Sequence, residues 1–155
     1  MPNTGSSLPK EHHMNFVSIR IITADIKRLA RFYEQVTGIS VTMYTEEFGE
    51  LKTAACTLAM GSTRTLQLLG GDVARPAENH TVIIEFRVND VDAEYRKLVE
   101  LIGLSLVQEP TTMPWGNRSL LFRDPDGNLV NFFTPITQRR RSRTLPSDDA
   151  RSGPE

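Results

Sequence analysis

The 155-residue chain carries a single cysteine, Cys56. One thiol can form no internal disulfide and excludes cysteine-rich zinc sites. No neighbouring base or motif activates it, so Cys56 is expected in the core as a small apolar side chain. The chain also lacks an apolar run approaching the ~18 residues of a membrane-spanning helix. A formal net charge of −1 gives no global pull toward nucleic acid or membrane. Residues 1–13 lack the apolar segment of a signal peptide, and together these absences predict a cytoplasmic protein. Histidine is scarce as well. His12 and His13 are adjacent in a polar arm and are expected to be solvated, and His80 stands alone.

What remains is an ordinary globular composition and enough chain for one domain with a sizeable core. The expected layout is a flexible arm over 1–13, a single domain over 14–136 and a disordered basic and polar tail over 137–155. Arg139, Arg140, Arg141 and Arg143 give the tail its charge. Without interleaved aromatics or a second basic patch, they are read as solvated.

Phe16 to Ile22 alternates, with Val17, Ile19 and Ile21 on one face and Ser18, Arg20 and Ile22 on the other, the pattern of a strand. Ile26, Leu29, Phe32, Tyr33 and Val36 then recur at helical spacing. Asp25 is placed to cap that helix and Gly38 to stop it. Further strands are expected at 40–44, around 51–60 and at 64–69, with Gly61-Ser62 as the turn between the last two.

From Thr81 the plan restarts. Val82, Ile84, Phe86 and Val88 alternate with Ile83, Glu85 and Arg87, Asp90 caps a second helix and Gly103 ends it. Asp25 and Asp90 stand 65 residues apart, as do Gly38 and Gly103, which indicates an internal duplication. The expected fold is α+β, two tandem βαβββ modules (about 15–70 and 80–135) related by a pseudo-two-fold. Their curved mixed sheet would carry helices outside and a cleft inside. Shifting the offset by one pairs Leu66-Gln67-Leu68 with Val130-Asn131-Phe132, the last strand of each half.

The second half closes with two apolar runs flanking Asp124-Pro125-Asp126-Gly127-Asn128, a hairpin signal in which Pro125 presets φ and Gly127 takes φ > 0. On the strand after it, Leu129, Asn131 and Phe133 share a face, and the amide of Asn131 there needs a partner, a water or a ligand. The cleft-facing set is then Ser18, Arg20, Ile22, Gln67, Ile83, Glu85, Arg87, Leu129, Asn131 and Phe133.

The Asp-Pro-Asp-Gly-Asn turn with its strand, the duplicated strand-Asp-helix-Gly unit and Phe32-Tyr33 on the first helix resemble the vicinal oxygen chelate superfamily. That superfamily includes glyoxalase I, extradiol dioxygenases, methylmalonyl-CoA epimerase and bleomycin-resistance proteins. The resemblance spans about Phe16 to Pro135. In its metal-using members, one position on the first and one on the last strand of each module supply the ligands. Those positions fall here on Ser18, Gln67, Ile83 and Asn131, with no imidazole and no carboxylate among them, so no cofactor is expected and a divalent metal is disfavoured. His80 would reach such a site only through a register shift that reverses the faces of its strand.

Arg20 and Glu85 each precede a capping aspartate by five residues. They are expected to meet as an ion pair in the cleft, or to act as oxyanion stabiliser and general base. Trp115, in Pro114-Trp115-Gly116, and Arg118 are further ligand-binding candidates at the lip, with Tyr44, Phe48 and Phe133 as apolar wall. Two functions follow from the resemblance. One is a metal-free homodimeric binder of a small apolar or aromatic molecule, of the antibiotic-sequestering type. The other is a lyase, isomerase or dioxygenase of the same superfamily, with or without a divalent metal.

Overall fold

The period-2 segments form strands and the aspartate-to-glycine segments form helices in a computed structural model that describes residues 13–136. The first half runs β1 (Ser18–Thr23), α1 (Ile26–Thr37), β2 (Thr42–Thr45), β3 (Phe48–Lys52) and β4 (Thr57–Ser62). The second half runs β5 (Ile83–Arg87), α2 (Val91–Ile102), β6 (Leu106–Thr112), β7 (Asn117–Arg123) and β8 (Leu129–Pro135). Each half makes its own four-stranded sheet, ordered β1-β4-β3-β2 and β5-β8-β7-β6. In both, the first strand lies parallel to the last and the other pairings are antiparallel. This is the expected α+β architecture of two tandem βαβββ modules. The arm at 1–12 and the tail at 137–155 lie outside the described residues; His13 is exposed.

Both helix caps are made as the sequence prescribes. The Asp25 carboxylate accepts from the Arg28 backbone N–H at 3.1 Å, and the Asp90 carboxylate accepts from that of Ala93 at 3.1 Å. Gly38 ends α1 at φ +70°, a conformation that an L side chain rarely adopts. α1 buries Ile26, Leu29, Ala30, Tyr33 and Val36, while α2 buries Val91, Leu98 and Ile102. With Leu51, Leu58 and Met60 of the first sheet and Ile84, Leu120, Phe122, Val130 and Phe132 of the second, they form one continuous core. Each fully buried side chain of this size contributes roughly 1.5–3 kcal/mol.

The halves are joined on the helix side. The Tyr33 ring lies 6.4 Å from that of Phe86, and the Phe32 ring 6.1 Å from that of Phe122. The Tyr33 hydroxyl donates to Asp124 Oδ2 at 2.7 Å. Asp124 also accepts from the backbone N–H groups of Asp126 and Asn128 and from Asn128 Nδ2, which locks the β7–β8 turn around Gly127 at φ +82°. Burial, and then the neighbouring Asp124 carboxylate, push the Tyr33 phenol far above its usual range, so it stays a donor.

Four expectations fail here. The strand expected at 64–69 is a 3-10 helix, Thr63–Leu69. Ser62 caps it by accepting from the Arg64 N–H at 3.2 Å, and Gly70 ends it at φ +103°. Gly61-Ser62 therefore belongs to β4 rather than to a turn, and the broad strand expected around 51–60 divides into β3 and β4. Cys56, expected in the core, is exposed. It sits in the β3–β4 turn, where the Thr53 hydroxyl and N–H both donate to its carbonyl, and this local bonding fixes the turn outside the core.

Candidate functional site

Each sheet buries one face against the helices and leaves the other open. On the first sheet the open face carries Ser18, Arg20 and Ile22 of β1, Thr57, Ala59 and Gly61 of β4, and Phe48, Glu50 and Lys52 of β3, aligned in rows across the strands. The 3-10 helix rises beside it. Arg20, Thr45, Glu47, Phe48, Arg64, Thr65, Leu68 and Leu69 line an open cavity of about 460 Å³. That volume falls within the ~300–1,000 Å³ typical of small-molecule sites. Most of its wall is apolar, with Phe48, Leu68 and Leu69 among the lining side chains.

Five contacts order this face. The Arg20 guanidinium lies over the Phe48 ring, 4.9 Å from its centroid, a cation–π placement. Tyr44 packs beside Phe48 at 6.1 Å, and Lys52 Nζ lies 5.3 Å from the Tyr44 ring centroid. Glu47 pairs with Arg64 at 3.1 Å, and Glu50 with Lys52 at 3.8 Å.

The open face of the second sheet is built differently. Ile83 lies opposite Leu129, Glu85 opposite Asn131 and Arg87 opposite Phe133. Asn131 Nδ2 donates to Glu85 Oε2 at 2.8 Å, while Asn131 Oδ1 is buried without a partner. The amide singled out in the sequence has therefore found a partner for its nitrogen, Glu85, and none for its oxygen among the described residues.

The other candidates separate. Arg20 and Glu85 form no ion pair. Their sequence-symmetric positions sit on different sheets, and the strand beside each supplies its surroundings: Ala59 beside Arg20, Asn131 beside Glu85. Gln67 is exposed on the 3-10 helix and is off the sheet altogether, so the counterpart of Asn131 in the first half is Ala59. Arg118 shares the side of β7 that Leu120 and Phe122 present to the helices, and it is held there. Its Nε and Nη2 donate to Asp92 of α2 at 2.9 and 3.0 Å, and its Nη1 to the Thr112 hydroxyl at 3.1 Å. That bidentate bond also holds the Asp92 carboxyl below its usual range. Trp115 is 74% exposed at the β6–β7 turn. Ser18 and Ile83 are exposed on β1 and β5, and Phe133 is half-buried on the second open face, away from Tyr44 and Phe48.

Leu68, Leu69, Thr65 and Arg64 were missed as site residues. The signal for them is the one that located α1 and α2: a capping side chain, Ser62, followed by a glycine stop, Gly70.

The residues at the implied ligand positions do not match a divalent ion. At the ligand positions implied by the resemblance, the strand register puts Ser18 opposite Thr57 on the first sheet, and it leaves Ile83 and Asn131 on the second. Hydroxyls, an amide and an alkyl group do not make a zinc-type donor set. Among the described residues, no three His, Cys, Asp or Glu side chains converge.

Comparison with known proteins agrees with the architecture. The family model described as Glyoxalase/Bleomycin resistance protein/Dioxygenase superfamily matches residues 12–132. The chain is 30% identical over 115 residues to protein YwbC of Bacillus subtilis, covering 73% of this chain and 91% of that one. A glyoxalase/bleomycin resistance protein/dioxygenase family enzyme from Burkholderia phytofirmans superposes with a TM-score of 0.68 at 18% identity, covering 77% of this chain and 97% of that one. A glyoxalase/bleomycin resistance protein/dioxygenase from Nocardioides does so at 0.66 and 18%, covering 82% and 87%. With the family model spanning both βαβββ modules, the chain belongs to the glyoxalase/bleomycin resistance protein/dioxygenase superfamily, the vicinal oxygen chelate fold.

Proposed function

We propose that this protein binds a small, largely apolar or aromatic molecule without a metal, in the manner of the sequestering members of its superfamily. The observation that carries the reading is the cavity of about 460 Å³ between the first open face and the 3-10 helix, walled by Phe48, Leu68 and Leu69. Burying one face of a flat ligand there removes apolar area from water at roughly 25 cal/mol per Å². The donor set favours a binder over a metal-dependent lyase or dioxygenase. The protein is read as cytoplasmic, from its single cysteine, and as a homodimer. Phe16, Val17, Val82 and Ile83 are exposed apolar residues at or beside the free edges of β1 and β5, a surface that a second copy would cover.

Elemental analysis of protein purified without chelator, combined with its mass in solution, tests this reading. A metal-free dimer that quenches or enhances the fluorescence of an apolar dye supports it. About one divalent ion per chain overturns it.

A second reading has one observation behind it. Asn131 fixes one oxygen of Glu85 and leaves the other free, the arrangement of an oriented general base. A metal-free isomerase or lyase acting at that face would lose activity on Glu85→Gln, whereas a binder that uses the first face would keep its affinity.

A further inference from the structure

The identity of the charged group at the first-face cavity narrows the ligand class. This step rests on the binding reading above and specifies it. Arg20 is oriented from its charged end: its Cδ passes close to Gly61 of β4, and its guanidinium stacks 4.9 Å over Phe48. An arginine stacked in this way gives up less rotamer freedom on binding than one without such a contact.

Its ionic capacity is unspent. Two carboxylates on or beside this face are engaged elsewhere, Glu47 with Arg64 at 3.1 Å and Glu50 with Lys52 at 3.8 Å. Arg20 itself has no ion-pair or hydrogen-bond partner among the described residues. The ionisable residues lining the cavity are Arg20, Arg64 and Glu47, two cations and one carboxylate, which leaves one positive charge in excess. The remaining wall is Phe48, Leu68, Leu69 and the two threonines, Thr45 and Thr65.

We infer that the ligand is a monoanion with a flat apolar body: a small aromatic carboxylic acid whose carboxylate meets the Arg20 guanidinium while its ring lies between Phe48 and Leu68-Leu69. A planar guanidinium matches a carboxylate with two parallel N–H···O bonds. A neutral analogue of the same shape keeps the apolar contact and loses only that pair. A cationic analogue is repelled.

The test is calorimetric titration of the full chain with naphthoate, naphthamide and naphthylmethylamine, using wild type, Arg20→Gln and Arg20→Lys. Arg20 lies on the surface, so both variants are expected to fold, and circular dichroism melts check this. Naphthoate is expected to bind at least about tenfold tighter than naphthamide. Arg20→Gln is expected to abolish the preference for naphthoate over naphthamide, and Arg20→Lys to restore part of it. Equal binding of acid and amide overturns the anion inference and leaves the apolar-binder reading standing. A preference that survives Arg20→Gln overturns the role of Arg20. Failure of all three compounds to bind overturns both the binder reading and this inference.

Discussion

The two halves of this chain share a backbone plan and a core but not an open face. On the helix side they converge: the same aspartate cap, glycine stop and sheet order, and one core in which Tyr33 of the first half bonds Asp124 of the second. On the open side they diverge at the position five residues before each cap. The first half places Arg20 there beside Ala59, stacked on an aromatic and, among the described residues, without an anion. The second places Glu85 beside Asn131, already hydrogen-bonded. A duplicated scaffold holds its packing side constant because every core side chain has neighbours in both halves, whereas a residue on the open face answers only to its own sheet. The face left with an unmet charge and a cavity is the one assigned to the ligand.

That contrast predicts that stability resides on the shared side and binding on the first open face. The largest effect belongs to Asp124→Ala, which strips the partner from four donors at a buried position. It should lower unfolding free energy by about 3 kcal/mol or more. Urea denaturation followed on both near-ultraviolet and far-ultraviolet signals should show one transition, and two separate transitions would mean that the halves do not share a core.

Tyr33→Phe removes one donor from the same carboxylate and should cost about 1–3 kcal/mol. Its pH dependence has a definite sign. The folded phenol binds its proton more tightly than the unfolded one, so the wild type keeps this stabilisation below the unfolded tyrosine value near ~10 and loses it as pH rises further. The gap between wild type and Tyr33→Phe should therefore narrow above about pH 10, as measured by the melting temperature across that range.

Arg118→Gln tests the second half alone. The carboxyl of Asp92 is held low by Arg118, so the pair contributes above the unfolded carboxylate value near ~4 and the contribution disappears as pH falls through the folded one. A small difference in melting temperature at neutral pH should vanish in acid. At half-exposed groups such as these, added salt should shrink it as well.

The smallest expected change in stability is that of Arg20→Gln, within about 0.5 kcal/mol, because its side chain lies on the surface and has no polar partner to lose. A large destabilisation there would turn Arg20 from a ligand-facing residue into a structural one.

The helix-side features were legible in the sequence because they are local and periodic. Caps, stops, the alternation that sends Ile84 inward and Glu85 outward, and the glycine of the β7–β8 turn each depend on a few neighbouring residues. The features misread involve choices between local patterns or partners distant in the chain. Thr65-Leu66-Gln67-Leu68-Leu69 alternates well enough for a strand, and only the Ser62 cap with the Gly70 stop turns it into a helix end to end. Arg118 and Asp92 are 26 residues apart, though the parity Arg118 shares with Leu120 and Phe122 places it on the helix side. Pseudo-symmetry correctly made Arg20 and Glu85 counterparts but says nothing about contact, since what each one touches is decided by the strand beside it.

The most direct test of the account is amide chemical-shift mapping of nitrogen-labelled protein titrated with naphthoate. The account predicts shifts concentrated at Arg20, Phe48, Gly61, Thr65, Leu68 and Leu69, around the first open face. Shifts concentrated instead at Glu85, Asn131 and Phe133, or no shifts at saturating naphthoate, would contradict it.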